Sequence, residues 1–340
     1  MGHNCAPRFV DQRILREKKL NIASILRISA VVLGVSFLAN ASEVAMAAAP
    51  MVKTQAPGYF RMPLGDFEIT ALSDGTVKLP VEKLLKTSPE RTKSLLAKSS
   101  LTTPLETSVN AYLVNTGSKL VLIDAGAGTL FGPTLGNLVA NLKAAGYQPD
   151  QIDEIYITHM HPDHVGGLAA DGAIVFPNAI VRADQRDADF WLSEDHLNKA
   201  AEGDKDFFKG AIASLSPYVK AGHFKSFNGD TELIPGIKAV STYGHTVGHT
   251  SYWVESKGEK LIVTGDLIHV AAIQLGDPTV TIGFDTDTKA AGAQRRKVFN
   301  EAAKEGDWIA AAHLSFPGIG HLRTDGKGYD FIPVNYTTLK

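Results

Sequence analysis

Cysteine is almost missing from this sequence: 340 residues carry one, Cys5. That excludes a disulfide framework, and it excludes a metal site built on several thiolates. An excess of one charge is also lacking. The formal net charge is −2, so the basic footprint of a nucleic-acid binder is not there. No low-complexity tract, fixed-period repeat or long charged tail interrupts the chain. The apolar run ISAVVLGVSFLA (28–39) is shorter than the about 20 residues that a membrane-spanning helix needs. Hydrophobic residues still make up 44% of the chain, enough for a sizeable core.

What is present at the start is ordered. Basic residues (Arg8, Arg13, Arg16, Lys18, Lys19, Arg27) precede the apolar run, and small-residue sites follow at Ala39-Asn40-Ala41 and Ala45-Met46-Ala47. This is the order of a secretory signal peptide, expected over residues 1–47. Cleavage near Ala47 would leave residues 48–340 as one domain without a stable membrane anchor, exported across the inner membrane and placed in the periplasm. An uncleaved anchor is the alternative. Cys5 would leave with the leader, and the remainder would carry no thiol into an oxidising compartment.

Beyond an irregular lead-in over 49–63, the pattern alternates strands and helices. FEITAL (67–72) reads as a strand ended by a Ser73-Asp74-Gly75 turn. NAYLVNT (110–116) and KLVLIDAG (119–126) read as a hairpin about Gly117-Ser118. Apolar residues at 135, 138, 139, 142 and 145 predict a helix stopped by Gly146. IDEIYIT (152–158) is a strand, and AIVFPNAIVRA suggests a strand pair about Pro177-Asn178. Residues 184–220 look helical. Three strands follow over 237–266, then a helix over 287–305 and a last strand, WIAAAH. Strand groups followed by helices imply an α/β fold with helix-covered sheets.

The chemistry is concentrated in ITHMHPDHVGG (157–167). His159, His161, Asp163 and His164 crowd behind one strand, in a chain with only 11 histidines. His245 and His249 follow another strand in GHTVGHT, Asp266 ends KLIVTGD, and His313 ends WIAAAH. Loops at one sheet edge can bring such residues together. Imidazole and carboxylate are ligands for zinc and its neighbours. Seven candidate donors are too many for one tetrahedral ion and about right for two. Gly166 and Gly167 are expected to let the loop turn tightly. His196, His223 and His321 stand alone and read as structural.

H-x-H-x-D-H after a strand, with distant Gly-His-Thr-x-Gly-His, Thr-Gly-Asp and Ala-His, resembles the metallo-β-lactamase superfamily. Within it, the chain closely resembles the methyl parathion hydrolase branch and its lactonase-like relatives, the dihydrocoumarin hydrolases. The resemblance runs from APGYFRMPLGDFEITALSDGTV through ETSVNAYLVNTGSKLVLID to HLSFPGIGH and FIPVNY. It implies a single-domain αββα sandwich over 48–340 with a dinuclear site at one edge. It also implies the partition: His159, His161 and His245 on one metal, Asp163, His164 and His313 on the other, Asp266 bridging and orienting the nucleophile. Asp124 and His249 would support these ligands. The ions are expected to be zinc, with Mn, Co or Fe allowed, and a homodimer is implied.

Two such ions lower the pKa of bound water from about 15.7 to about 7, so a bridging hydroxide can attack carbonyl carbon or phosphorus at neutral pH. Phe131, Trp191 and Phe207 match positions lining the pocket entrance in the methyl parathion hydrolase branch, with Phe208 the alternative to Phe207. That branch has Arg, Leu, Thr and Leu where this chain has Leu84, His269, Ile282 and Phe284. These four resemble the lactonase-like relatives. The expected substrate is a small uncharged lactone or aryl ester, with promiscuous organophosphate triester hydrolysis. A dedicated organophosphate hydrolase is the alternative, and a non-catalytic metal-binding protein the alternative of another class. No nucleic-acid partner is expected.

Overall fold

The structure is a computed structural model that describes residues 49–338. Its contacts separate Met1–Lys53 from Thr54–Lys340, and every described strand and helix lies in the second unit. The expected signal peptide lies outside the described residues. No helix among the described residues is long and apolar enough to cross a membrane.

Among the described residues, fifteen strands form two principal sheets and one short ribbon. The N-terminal half supplies β1 (Tyr59–Leu64), β2 (Phe67–Leu79), β3 (Leu105–Asn115), β4 (Leu120–Ile123) and β5 (Glu154–Tyr156). It continues with β6 (Ala169–Ala170), β7 (Ala173–Ile174) and β8 (Ile180–Arg182). The C-terminal half supplies β9 (Thr231–Ile234), β10 (Ile237–Ser241), β11 (Thr250–Ser256) and β12 (Glu259–Val263). It ends with β13 (Trp308–Ala310), β14 (Ile319–Thr324) and β15 (Tyr329–Pro333). One sheet has the order β1-β2-β3-β4-β5-β8, the other β15-β14-β13-β12-β11-β10-β9.

Period-two alternation explains the layering. Tyr112, Val114, Val121, Ile123 and Tyr156 point inward and meet Ile237, Ala239, Tyr252, Val254 and Val263 of the facing sheet. Tyr156 and Tyr252 stack across this interface at 5.5 Å. The alternate residues Leu113, Leu122, Ile155 and Val181 face outward onto Leu138, Leu142, Phe208, Leu215 and Tyr218 of the covering helices. Ile262, Ile309 and Leu322 do the same for the helix Thr288–Glu305, through Val298, Phe299 and Ala302. Both sheets are thus apolar on two faces, and the product is the four-layer αββα sandwich.

Several local expectations need correction. The lead-in 49–63 is not all irregular, because β1 pairs with β2 from Tyr59. Ser73-Asp74-Gly75 does not turn the chain. It is a bulge inside β2, where the register against β3 shifts. Asp74 is buried there, and its carboxylate accepts amides from Ala127, Gly136 and Leu138. The next helix starts at Leu138 rather than Leu135, and the Leu138 amide is one of those donating to this carboxylate. β7 and β8 do not pair with each other: β7 pairs with β6, and β8 lies parallel to β5. WIAAAH is not the last strand, since β14 and β15 follow it.

Candidate metal centre

The seven expected donors come from four separate segments, and the fold brings them together at one edge of the sandwich. β5 delivers the loop carrying His159, His161, Asp163 and His164, with Pro162 opening a one-turn helix. His245 follows β10, Asp266 follows β12 and His313 follows β13. Donor atoms of His159, His161, His245 and Asp266 all lie within 4.8 Å of one another, and so do those of Asp163, His164 and His313. The two groups are those of the expected partition. His269 forms a third such group with Asp266 and His313.

The spacing fits ions. Two donors each about 2.0–2.1 Å from one tetrahedral ion sit roughly 3.3–3.4 Å apart. Here His161 Nδ1 and His245 Nε2 are 3.1 Å apart, and Asp266 Oδ2 lies 3.3 Å from His245 Nε2 and 3.6 Å from His159 Nε2. On the other side, Asp163 Oδ2 lies 3.6 Å from His164 Nε2 and 3.5 Å from His313 Nε2. Asp266 reaches both groups, with Oδ1 3.2 Å from His164 Nε2 and Oδ2 3.1 Å from His313 Nε2.

Surrounding hydrogen bonds settle which nitrogen points inward. His164 donates Nδ1–H to Asp124 at 2.9 Å, and His313 donates Nδ1–H to the Ser108 carbonyl at 2.9 Å. Asp124 also accepts from the Thr158 amide at 2.8 Å and hydroxyl at 2.9 Å. The Thr158 hydroxyl in turn meets His159 Nδ1 at 3.0 Å. One carboxylate therefore orients a histidine in each group. Asp124 does this at φ 61°, a left-handed conformation that Asp and Asn tolerate better than most residues. With their Nδ1 protons committed, these rings turn Nε2 lone pairs toward the Asp266 carboxylate. His159 Nε2, His164 Nε2 and Asp266 Oδ1 are buried without hydrogen-bond partners among the described residues. Acceptors facing acceptors in a dry site call for positive charge between them, either a proton on a histidine or a metal cation.

Charge in the site supports this. Burial holds His159 and His161 well below the ordinary histidine value, so both are neutral imidazoles. Burial also opposes charge on His164, but Asp266, Asp163 and Asp124 outweigh it and raise His164 well above that value. Burial similarly opposes charge on Asp266. Its histidine neighbours, His313 and His164 foremost, outweigh that effect and keep it well below the usual carboxylate range. Burial opposes charge on His313 and His245 too, but the buried carboxylates raise His313, and His245 to about 9. They thus draw positive charge into the site, which protons supply when no cation is bound.

His249 is excluded as a donor by its own hydrogen bonds. Its Nε2 accepts the Asp266 amide at 3.0 Å, and Nδ1 meets the Thr242 hydroxyl at 2.8 Å. It fixes the backbone of Asp266, as expected of a supporting residue. Gly166 and Gly167 are needed for close approach rather than for turning. A Cβ on either would meet the carbonyl oxygen of Ala127 or Ala125 at 2.1 or 2.0 Å.

A cavity of about 270 Å³ opens above both donor groups. Val77, Leu79, Phe131, Leu135, Phe207 and Phe284 form its apolar wall, and His161, Asp163, Asp266, His269 and His313 reach into it. Phe131, Phe207, His269 and Phe284 therefore lie where the sequence places them. Leu84 and Trp191 line an adjoining cavity of about 390 Å³ that shares His161, Phe207 and Phe284 with the first. Phe208 borders that second space and is otherwise core. Ile282 lines neither. It is fully buried among Val81, Leu85, Leu96 and Val270, so its assignment to the pocket is corrected. A larger cavity, about 510 Å³ beside the glycine-rich 126–136 loop, is lined mostly by small residues. The Asp74 carboxylate there already accepts its three amides.

Three residues at the site have no signal in the sequence pattern. Asp187 is fully buried and accepts from the amides of Met160 (2.9 Å) and Gly248 (2.6 Å) and from the Thr246 hydroxyl (3.0 Å). It ties the two histidine loops together. Asp285 accepts Nδ1–H of His245 at 2.8 Å. Arg295 is buried and donates to the carbonyls of Leu267, Pro278 and Val280, pinning the segment that follows Asp266.

An αββα sandwich with paired His/Asp donor groups at the sheet edge defines a class of metal-site protein. The sequence profile described as "Metallo-beta-lactamase superfamily" matches residues 105–313, and the chain belongs to that superfamily. Its fold is similar to the crystal structure of "hydrolase AbOPH in beta lactamase superfamily", with TM-score 0.79 and 39% identity over 84% of this chain and 100% of that one. It is also similar to AidC, described as a dizinc quorum-quenching lactonase in complex with a product, with TM-score 0.77 and 27% identity over 83% of this chain and 99% of that one. An N-acyl homoserine lactonase from Bacillus cereus is 27% identical over 160 residues, 47% of this chain. The match spans 56% of that relative's length.

Proposed function

We propose that this chain is a metal-dependent hydrolase that opens small uncharged lactones or cleaves aryl esters. The observation that carries the proposal is the placement of both donor groups on the floor of one aromatic-walled cavity. His159, His161 and His245 would hold one divalent ion and Asp163, His164 and His313 the other, with Asp266 shared. Zinc suits this nitrogen and oxygen donor set. When bound, such ions supply Lewis acidity and hydroxide near neutral pH. The chain's own residues hold and shield the reactants. Asp266, fixed through its amide by His249, orients the attacking group between the two sides. Phe131, Phe207 and Phe284 exclude water and receive an apolar substrate.

His269 favours the lactone or ester reading over a dedicated organophosphate hydrolase. Its ring is buried and lies at the cavity, with Nε2 3.0 Å from Asp266 Oδ2 and Nδ1 without a hydrogen-bond partner among the described residues. Burial lowers its pKa to about 4, so it is a neutral imidazole at the cavity, bulkier and more polar than the leucine of the organophosphate-hydrolase branch. The likeness to AidC, itself a lactonase, supports the same direction. Phosphotriester cleavage is proposed as a weaker secondary activity of the same site.

The test is kcat/KM on dihydrocoumarin, an aryl ester and methyl parathion with zinc-replete protein. The lactone or ester should lead, and a clear preference for the phosphotriester reverses the order. Asp266→Ala should abolish turnover while leaving the fold, and near-normal turnover would sink the assignment. Fewer than about two metals per chain together with no esterase activity would favour a non-catalytic metal-binding protein.

A further inference from the structure

We infer that Asp285 is a positioning residue that couples the His245 donor to the substrate wall. Its side chain is fully buried, and its two oxygens serve two different structures. Oδ1 accepts Nδ1–H of His245 at 2.8 Å, which turns His245 Nε2 inward toward Asp266 and His161. Oδ2 accepts the amide of Ile282 at 3.0 Å. That amide opens the short segment whose Phe284 faces both cavities.

The segment is otherwise held from outside. Lys86 donates its amide to the Thr281 carbonyl, and Gly283 donates to the Leu84 carbonyl, both at 2.8 Å. Beyond Asp285, the amides of Thr286 and Asp287 donate to the carbonyls of His245 and Gly244 at 2.9 and 2.8 Å. The backbone is therefore clamped on both sides without the carboxylate. What Asp285 adds is the orientation of one imidazole and the inward set of Phe284, enforced by a single group. A disturbance at the wall moves the donor, and a change at the donor moves the wall. Asp187 binds only backbone amides and a hydroxyl, and Asp124 touches a histidine on the opposite side.

This rests on His245 being a metal ligand. The test uses Asp285→Ala and Asp285→Asn in the full protein, stripped and reloaded with zinc or Co(II) against a chromogenic chelator. In Asp285→Ala one of the two sites should weaken by about 10- to 100-fold, the scale for losing a ligand's hydrogen-bond partner, while the other stays within about 3-fold. Asp285→Asn keeps an acceptor for Nδ1–H and should lose less. The Co(II) absorption bands should shift in Asp285→Ala, and KM should rise more for a bulky aryl ester than for a small aliphatic lactone. Unchanged affinity for both ions in a folded Asp285→Ala protein overturns the inference. So does equal weakening of both sites with a lowered melting temperature, or equal weakening in Asp285→Asn if Asp285→Ala does not fold. Wild-type protein binding fewer than two ions would instead overturn the functional reading itself.

Discussion

Asp124→Asn is the most informative change at this site. Asn tolerates the left-handed φ of 61° at this position, so the backbone need not move. The carboxylate accepts three hydrogen bonds: from the Thr158 amide, the Thr158 hydroxyl and His164 Nδ1–H. An amide side chain has one oxygen, so its NH2 must face at least one of these donors. Each hydrogen bond to a charged group contributes about 1.5–3 kcal/mol, so stability should fall by roughly 2–4 kcal/mol. The metal readout is sharper. Removing a ligand's supporting partner costs about 10- to 100-fold in affinity. Asp124 supports His164 directly and His159 through the Thr158 hydroxyl, one donor in each group. Both sites should therefore weaken, whereas Asp285→Ala should weaken one. Chelator competition on reloaded protein, with urea unfolding of the same samples, separates the two effects. A variant that loses about 2 kcal/mol or more but releases both ions as wild type does would refute the orienting role. One that weakens a single site would refute the shared role.

Asp187 should make stability fall with pH in metal-free protein. Burial raises its pKa to about 6 from an ordinary 3.8, so the folded state favours its neutral form. That contribution is fully present below about pH 3.8 and is lost as pH rises through about 6. The total is about 3 kcal/mol across the window. Asp187→Asn lacks this titration, so its stability difference from wild type should change by most of that amount, about 2.4 kcal/mol, between pH 4 and pH 7. A pH-independent difference in urea unfolding would contradict it. Ile282→Val removes one methyl from the cluster behind the wall. It should cost about 0.5–1.5 kcal/mol of stability with kcat/KM for lactone and phosphotriester unchanged. Altered substrate preference at unaltered stability would return Ile282 to the pocket.

The candidate donor set was legible because all seven of its members lie in dense local clusters or at strand ends, where few structural reasons for His and Asp compete. The layering was legible because Tyr112/Leu113 and Tyr156/Ile155 alternate faces on strands that are apolar throughout. Asp74 was misread because the bulge and the turn share a signal. Ser-Asp-Gly suits both, and only three amides arriving from 53 to 64 residues away choose the bulge. Ile282 was misplaced for a related reason. Its neighbour Phe284 does face the cavity, but the segment bends at the Leu85 bridge and directs Ile282 into the core instead.

Asp187 and Asp285 mark a firmer boundary. Each is an isolated acid whose partners lie 27, 59 and 61 residues away in one case, and 40 and 3 residues away in the other. Nothing local distinguishes them from Asp189 or Asp287, which lie two residues further on. Candidate donors take their positions from rigid strand ends, so short motifs reveal them. The groups that orient those donors take their positions from how loops dock on one another, which becomes visible only when the sheets have assembled. On the proposed function, substrate preference belongs to this second set. The cavity over the donors is shaped by Phe131, Phe207 and Phe284, and the carboxylate that orients His245 also accepts the Ile282 amide two residues before Phe284. A change of preference in this fold therefore need not touch a ligand or a pocket side chain. It can enter through a buried acid that alters the wall and one donor together.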